Sequence, residues 1–358
     1  ASLNTAVGYN ALSFNTTGAN HTAVGALALY YNTTGGSNTA IGRLSLYSNT
    51  TASTNTAVGY ASMQDNTTGA NNVAIGYEAL GDNTTPSGNA AAGYKALRLN
   101  TTGAFLSAFG AYALYNNTTG SNNTAVGYGS LDSNTTGSAN AAVGLSCLNT
   151  NTTGNHNNAL GYLALQANTT GSQNTAIGGT ALYANTTASD NTAVGYNSLG
   201  ANTTGVRNTA VGKDSLKANT TGGENTAVGN HSLEANTTGL HNSAFGYSSL
   251  ASNTTGQRNT AVGQNAMLSS TTGNYNVAMG FNTLDANTTG SFNTSVGDSS
   301  MSTNTTGDKN VAMGQGTFAN NTTGEGNTAI GYEALSGCTT GSANIAIGRT
   351  AAAALTTG

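Results

Sequence analysis

The chain repeats itself every 17 residues, and no insertion or deletion interrupts the period. A glycine marks each repeat, from Gly8, Gly25 and Gly42 to Gly348, and 21 such repeats, here called coils, fill 357 of the 358 residues. A short, strict period is typical of a solenoid, in which each unit buries its apolar face only against its neighbours. Helical repeats need about 30 residues. The sequence therefore predicts a solenoid built from strands and turns.

The consensus of one coil is N-T-A-V-G-Y-x-A-L-x-x-N-T-T-G-x-x, with β-branched residues followed by Gly-rich and Asn-rich turns. This pattern predicts an all-β fold, a parallel β-solenoid or β-roll of about 21 coils, with residues 1–358 forming one uninterrupted solenoid. At about 4.8 Å per coil the rod would be about 100 Å long. Both ends lie in mid-pattern, so we expect a segment of a longer fibre or a unit that stacks end to end.

Two apolar positions recur in nearly every coil and are the expected core. One immediately precedes the anchor glycine and the other follows it by four residues. They are represented by Val7, Leu12, Val24, Leu29, Ile41 and Leu46. Because side chains alternate along a strand, the intervening alanine is expected on the opposite face.

That alanine and the anchor glycine form the predicted chain-packing face, represented by Ala6, Gly8, Ala23 and Gly25. The alanine is replaced only once, by Ser295, and a strand glycine often marks the close approach of another backbone. The alternative is that the glycine is required for its dihedral angles. Each coil has few large apolar side chains, and thin cores usually depend on disulfides, metals or partners, so we expect a homo-oligomer.

The second turn of the coil carries the recurrent triplet Asn-Thr-Thr in 18 of the 21 coils. Stacked identical asparagines can hydrogen-bond along the axis of a cross-β structure. A structural ladder is therefore expected at Asn15, Thr16, Thr17, Asn32, Asn49 and Asn66. The same triplet matches the N-glycosylation sequon. Since the coils are only about 4.8 Å apart, glycans could occupy it only sparsely.

The motif N-x-A-[VI]-G, present at residues 72–76 and 344–348, resembles the head repeat of trimeric autotransporter adhesins. The longer N-T-A-V-G-Y-x-A-L repeat is similar to the shafts of phage tail fibres and bacterial surface fibres. The resemblance implies a left-handed parallel β-roll in which three chains form one trunk. It also implies an extracellular location, at a cell surface or on a virion. The Asn-Thr-Thr turn is additional to the adhesin repeat.

The polar residues give no pattern for catalysis, and we expect neither an enzyme nor a cofactor or metal site. The formal net charge is −4 with 6% charged residues, which provides no basic footprint for nucleic acid. No apolar run approaches the roughly 20 residues that cross a bilayer. His156 and His241 lie five coils apart, too far to share a metal. The two cysteines, 11 coils and four residues apart, are too distant for a disulfide.

The favoured function is therefore structural, a rigid extracellular fibre or adhesin shaft that attaches to surfaces or cells. The alternative is an ice-binding or glycan-binding solenoid that uses the Asn/Thr ladder or a row of tyrosines, including Tyr60, Tyr77 and Tyr94. Adjacent residues such as Thr16 and Thr17 would point to opposite faces of a strand, which disfavours a double row of threonines for ice. Surface glycans are a candidate partner of the tyrosine row.

Overall fold

The computed structural model describes residues 3–357, which contain 21 strands of three residues each and no helix. The strands are Thr5–Val7 (β1), Thr22–Val24 (β2), Thr39–Ile41 (β3), Thr56–Val58 (β4), Val73–Ile75 (β5), Ala90–Ala92 (β6), Ser107–Phe109 (β7), Thr124–Val126 (β8), Ala141–Val143 (β9), Asn158–Leu160 (β10), Thr175–Ile177 (β11), Thr192–Val194 (β12), Thr209–Val211 (β13), Thr226–Val228 (β14), Ser243–Phe245 (β15), Thr260–Val262 (β16), Val277–Met279 (β17), Thr294–Val296 (β18), Val311–Met313 (β19), Thr328–Ile330 (β20) and Ile345–Ile347 (β21).

The chain divides into two compact units, residues 1–179 with β1–β11 and residues 180–358 with β12–β21. Within each unit, successive strands pair in parallel with a register of one repeat, as in the pairing of Thr22 with Thr39 and of Ala23 with Ala40. The prediction of an all-β parallel β-solenoid with a 17-residue repeat is confirmed. It follows from a period that leaves each strand no partner but its copy in the next coil.

The core contains one of the two apolar columns that were predicted for it, the leucine column, but not the valine column. Leu29 and Leu46 are fully buried, and Leu12 in the first coil is half-buried. The strand valine column, however, faces outward: Val7 and Ile41 are exposed and Val24 is half-buried. The alanine in the middle of each strand points inward instead, and this middle residue is buried in every strand from β2 to β21. The assignment of Val7, Val24 and Ile41 to the core was wrong for this chain on its own.

A narrow interior explains why alanine and not valine faces inward. The Ser215 hydroxyl donates a hydrogen bond to the carbonyl of Ala227 at 3.1 Å, and the Ser198 hydroxyl donates to the carbonyl of Ala210 at 3.0 Å. A single serine side chain therefore reaches from one wall of a coil to the opposite wall, at the strand of the next coil. Only a methyl or hydroxymethyl group fits between them, which also accounts for Ser295 in this column. The assignment of Ala23 to a chain-packing face was therefore wrong, because Ala23 lies inside the coil, whereas Ala6 occupies the same column but is exposed.

The anchor glycine is required both by its dihedral angles and by close backbone approach. Gly25 has a φ of +134°, and a Cβ placed there would lie 2.6 Å from the carbonyl carbon of Gly42. Gly8 has a φ of +132°, and a Cβ placed there would lie 2.7 Å from the carbonyl carbon of Gly25. The backbone that approaches these glycines belongs to the next coil of the same chain. The close approach that the sequence indicated is therefore intramolecular.

Candidate functional site

A column of turn asparagines connects successive coils through side-chain hydrogen bonds; Asn32, Asn49 and Asn66 are fully buried and Asn15 is half-buried. The Nδ2 group of Asn49 donates to Oδ1 of Asn32 at 2.8 Å, and that of Asn66 donates to Oδ1 of Asn49 at 3.0 Å. Each Nδ2 also donates to a carbonyl three residues later in its own turn, as Asn49 does to Ala52 at 3.1 Å. The turn-Asn column, as we call it, therefore fixes both the turn and the coil-to-coil spacing.

A second buried asparagine column immediately precedes the strands. This strand-Asn column includes Asn38, Asn55 and Asn72. The backbone N–H of Asn55 donates to Oδ1 of Asn38, and that of Asn72 donates to Oδ1 of Asn55, each at 2.9 Å. Its signal was available, because asparagine occupies this position in 19 of 21 coils. At His21, one of the two exceptions, burial lowers the pKa of the imidazole, and Nδ1 accepts from the N–H of Asn38.

The two threonines of each turn point outward, and they differ in their bonding. The first donates its hydroxyl along the axis, as Thr33 does to the carbonyl of Thr50 at 3.0 Å. The second is exposed, as at Thr17 and Thr34. They lie in a bend rather than a strand, so the expectation that they point to opposite faces was wrong. Since the neighbouring asparagines are buried, an Asn/Thr ladder cannot present its asparagines to ice.

Burial of the turn-Asn column also bears on glycosylation. Asn49 and Asn66 are fully buried, and their Nδ2 groups already donate to two acceptors each. N-glycosylation would have to replace one of these N–H groups by a bulky, solvated sugar. A folded coil therefore leaves no accessible amide at these sequons.

The turn-Asn column is interrupted at Ser270, where two polar atoms lack partners. Oγ of Ser270 and Oδ1 of Asn253 in the preceding coil are buried, and neither has a hydrogen bond. The serine side chain is too short to reach the amide oxygen that an asparagine would reach. This position is a natural defect in an otherwise repeated ladder.

We expect Ser270→Asn to raise the free energy of unfolding by about 1–3 kcal/mol, the usual cost of a buried unpaired polar group. The new Nδ2 would donate to Oδ1 of Asn253. Urea denaturation followed by circular dichroism would measure the change. Ser248→Asn is the matched control, because it adds the same side chain to an outward column that already holds Asn265, and it should alter stability by less than about 0.5 kcal/mol. Equal effects of both variants would contradict the prediction.

The tyrosine row stacks on itself. The rings of Tyr60 and Tyr77 are 5.1 Å apart and inclined by 12°, and those of Tyr77 and Tyr94 are 5.4 Å apart and inclined by 15°. The Arg43 guanidinium lies over the remaining face of Tyr60 at 5.6 Å. The rings therefore cover one another along the axis and present mainly edges and hydroxyls. A sugar ring that stacks on an aromatic face would find these faces occupied.

One group of side chains has the composition of a metal site. The ligand atoms of Asp214, His231 and Glu234 all lie within 4.8 Å of one another. Asp214 and His231 occupy the same position in successive coils. The sequence analysis compared only the positions of histidines with one another and therefore missed this pair. The Lys217 ammonium lies 3.4 Å from Asp214 and 3.7 Å from Glu234. Carboxylates and imidazole suit Zn²⁺, but here the carboxylates already have a cationic partner, and we interpret the group as an ion-pair network.

The buried Cys147 and the half-buried Asp132 have shifted pKa values without a charged partner. Burial raises the pKa of the Cys147 thiol to about 12, and both cysteines are free and buried. Burial also raises the pKa of Asp132, whose Oδ1 has no hydrogen-bond partner. Neither environment favours the ionised form of its group.

Asp132→Asn should stabilise the protein at pH 7 and have little effect near pH 3. The pKa of Asp132 is higher in the folded state than in the unfolded state, where it is about 3.9. The free energy of unfolding therefore falls as the pH rises from the unfolded-state pKa to the folded-state pKa. The neutral amide lacks this dependence. Thermal unfolding of both proteins at the two pH values would measure it. The exposed Asp190→Asn is the control, and a stability difference for Asp132→Asn that did not change with pH would contradict the prediction.

None of the family models compared with the chain matches it, and none of the curated proteins does. No helix among residues 3–357 is long and apolar enough to span a membrane. The likeness to adhesin and tail-fibre repeats therefore rests on the motifs quoted above.

Proposed function

We propose that this chain is a structural element, the shaft of an extracellular fibre or adhesin. The observation that carries the proposal is the continuity of axial hydrogen bonding around each coil. Within each unit, consecutive coils are joined through the strand, the second backbone segment, the threonine turn and both asparagine columns. Examples are the bonds Gly59 N–Ile41 O at 2.8 Å, Leu46 N–Ser62 O at 3.0 Å, Thr50 Oγ1–Thr67 O at 3.2 Å, Asn66 Nδ2–Asn49 Oδ1 at 3.0 Å and Asn72 N–Asn55 Oδ1 at 2.9 Å.

This arrangement suits a shaft because load along the axis is shared among several parallel bonds at every step. Every such bond joins residues about one repeat apart, so no long-range contact limits the number of coils. The resemblance to surface-fibre repeats supports an extracellular location, on a cell or a virion. The homotrimer prediction also comes from this resemblance. The Ala–Gly face cannot be the interface of such a trimer, because its alanines lie inside the coil. Ice or glycan binding has no comparable observation in its favour.

The shaft function can be tested by changing the number of coils. Deletion of residues 123–173 removes three whole coils and joins equivalent positions of the repeat. We expect it to shorten the maximum dimension in small-angle X-ray scattering by about 14 Å, with an unchanged circular dichroism spectrum per residue. Deletion of residues 123–166 is the control, since it breaks the register and should disrupt folding. A compact particle, or a length unaffected by the in-register deletion, would overturn the proposal.

A further inference from the structure

Three tyrosines stack ring on ring along one side of the unit formed by residues 1–179. Tyr60, Tyr77 and Tyr94 each follow the anchor glycine in successive coils, and we call them the tyrosine stack. Their centroids are 5.1 and 5.4 Å apart, and neighbouring planes are inclined by only 12° and 15°. Because the rings are nearly parallel and arise from equivalent backbone positions, the same ring edge recurs side by side from coil to coil.

The tyrosine stack can be reached from solvent. The exposed fractions are 38% for Tyr60, 42% for Tyr77 and 44% for Tyr94. Since neighbouring rings cover the faces, the exposed parts are mainly the outer edges, which carry the hydroxyl group and the Cε atoms beside it. These are the atoms at which a tyrosyl radical forms and couples. A small oxidant therefore reaches them without unfolding the chain.

The charges around the stack favour oxidation of its middle ring. Cations lie over both outer rings, with Arg43 at 5.6 Å from the centroid of the first and Lys95 at 5.4 Å from that of the third. Positive charge opposes the loss of an electron from these rings. The Glu78 carboxylate instead accepts a hydrogen bond from the hydroxyl of Tyr77 and thereby raises its pKa. Arg98 lies 3.2 Å from that carboxylate and holds it beside the stack, where it can take the phenolic proton as the electron leaves.

We propose that the tyrosine stack is a site of oxidative cross-linking, at which Tyr77 becomes covalently joined to Tyr60 or Tyr94 in a neighbouring coil. The co-reactant is a one-electron oxidant, such as a peroxidase supplied with hydrogen peroxide. Each of two tyrosines gives one electron to the oxidant and loses its phenolic proton, which passes to solvent directly or, from Tyr77, through Glu78. A Cε–Cε bond forms between the two phenoxyl radicals. The hydrogen on each bonded Cε then moves to the oxygen of its own ring, so both rings become phenols again.

The reaction balances without any further reactant. Two tyrosines and one molecule of hydrogen peroxide give one dityrosine and two molecules of water. The new bond would add a covalent link between coils to the hydrogen bonds that already join them. It would close a loop of one repeat, from Tyr60 to Tyr77 or from Tyr77 to Tyr94, and such a link constrains the unfolded chain. This site goes beyond the shaft function, since its geometry lies within three coils.

The test is peptide mapping of the full chain after brief photo-oxidation with tris(bipyridyl)ruthenium and persulfate, which generate ruthenium(III) as the one-electron oxidant. Trypsin, used with a protease that cleaves after acidic residues, places the three tyrosines in different peptides, within residues 44–65, 66–82 and 83–98. Mass spectrometry identifies a linked pair, which is lighter by two hydrogen atoms than its two peptides together, and fragment spectra locate the linked tyrosines. Total dityrosine fluorescence is insufficient, because close rings such as Tyr30 and Tyr47 also contribute to it.

We expect both links of Tyr77 to be at least about 10-fold more abundant than any link of Tyr162, because the stack holds the reacting groups together. Tyr162 is the matched reference within the same unit. It occupies the same column and is 58% exposed, but its neighbours in that column are Leu145 and Gly179. The preference should disappear when the chain is oxidised after unfolding in urea, since only the fold brings the rings together.

Two variants and an isotope experiment complete the test. Tyr77→Phe should remove both links, because phenylalanine forms no phenoxyl radical, whereas Tyr162→Phe should leave them unchanged. Phenylalanine already occupies this column at Phe281, and circular dichroism verifies that each variant is folded. In a mixture of isotope-labelled and unlabelled chains, every linked pair should carry a single label state, because the coupled tyrosines belong to one chain.

The proposal would be overturned if the folded chain formed tyrosine oxidation products but no link of Tyr77. Links of Tyr162 in equal amount, an unchanged preference in urea, or links between labelled and unlabelled chains would overturn it as well. The shaft function fails separately, through the deletion experiment, because that experiment measures length and this one measures covalent links between neighbouring coils.

Discussion

Gly110→Ala should lower the free energy of unfolding by about 3–5 kcal/mol, the sum expected for backbone strain and overpacking. Gly110 has a φ of +134°, which an alanine adopts only under strain. Its new Cβ would lie 2.6 Å from the carbonyl oxygen of Gly127 and 2.7 Å from the carbonyl carbon. Both atoms belong to the backbone of the next coil, so the clash cannot be relieved by rotating a side chain.

Urea denaturation and hydrogen exchange would measure this effect. Exchange should accelerate most at the N–H of Gly127, which donates to the carbonyl of Phe109 across the same interface. Gly36→Ala is the control, because a Cβ there would meet only the carbonyl oxygen of Ala19, at an ordinary 3.5 Å. If the two variants were equally stable, the anchor glycines would not be set by the approach of the next coil.

Asn134→Ala should be almost as damaging, at about 3–5 kcal/mol. Asn134 is fully buried, and its Nδ2 donates to Oδ1 of Asn117 at 2.8 Å and to the carbonyl of Gly137 at 3.0 Å. Its Oδ1 accepts from Nδ2 of Asn151 at 2.9 Å. The alanine would remove all three bonds, each worth about 1 kcal/mol, and would leave Oδ1 of Asn117 buried and unpaired at a further cost of about 1–3 kcal/mol. The Gly137 carbonyl would still accept from Asn123, and Nδ2 of Asn151 would still donate to Gly154.

The matched control for this second variant lies two residues away in the same turn. Thr136 is exposed, and Thr136→Ala should change the free energy of unfolding by less than about 0.5 kcal/mol. Asn134→Ser should give an intermediate loss, because it reproduces the natural interruption at Ser270. A loss for Asn134→Ala no greater than that for Thr136→Ala would show that the asparagine column does not stabilise the coils.

The repeat length and the residue types were enough to predict the class of fold, because a 17-residue period leaves each strand its neighbouring copy as the only partner. They were not enough to decide which side of the strand faces inward. Alternation separates Ala40 from Thr39 and Ile41 whichever side is the core, and hydrophobicity alone favoured the isoleucine. The decision depends on the distance between the walls of the coil, which is set by contacts such as Ser215 to Ala227.

For the candidate sites too, the sequence predicts some features and only the folded structure reveals the others. A column of identical asparagines signals a ladder in the sequence, but its inward direction depends on the turn geometry. The proximity of Asp214, His231 and Glu234 combines neighbours in adjacent coils with a step of three residues within one coil. Such a group is recognisable only after the coils are stacked in register.

The asparagine columns also give each unit an electrical direction. In the turn-Asn column, Oδ1 of Asn32 faces Asn49 in the next coil, and in the strand-Asn column, Oδ1 of Asn38 likewise faces Asn55. The side-chain carbonyls therefore point the same way along the axis in both columns, and their dipoles add as peptide dipoles do in a helix. The hydroxyls of residues such as Thr33 and backbone N–H groups such as that of Leu46 donate toward the next coil, and their dipoles have the opposite direction. Each added coil that continues both columns contributes the same pair of amide dipoles, so the side-chain part of the axial moment grows in proportion to the number of coils.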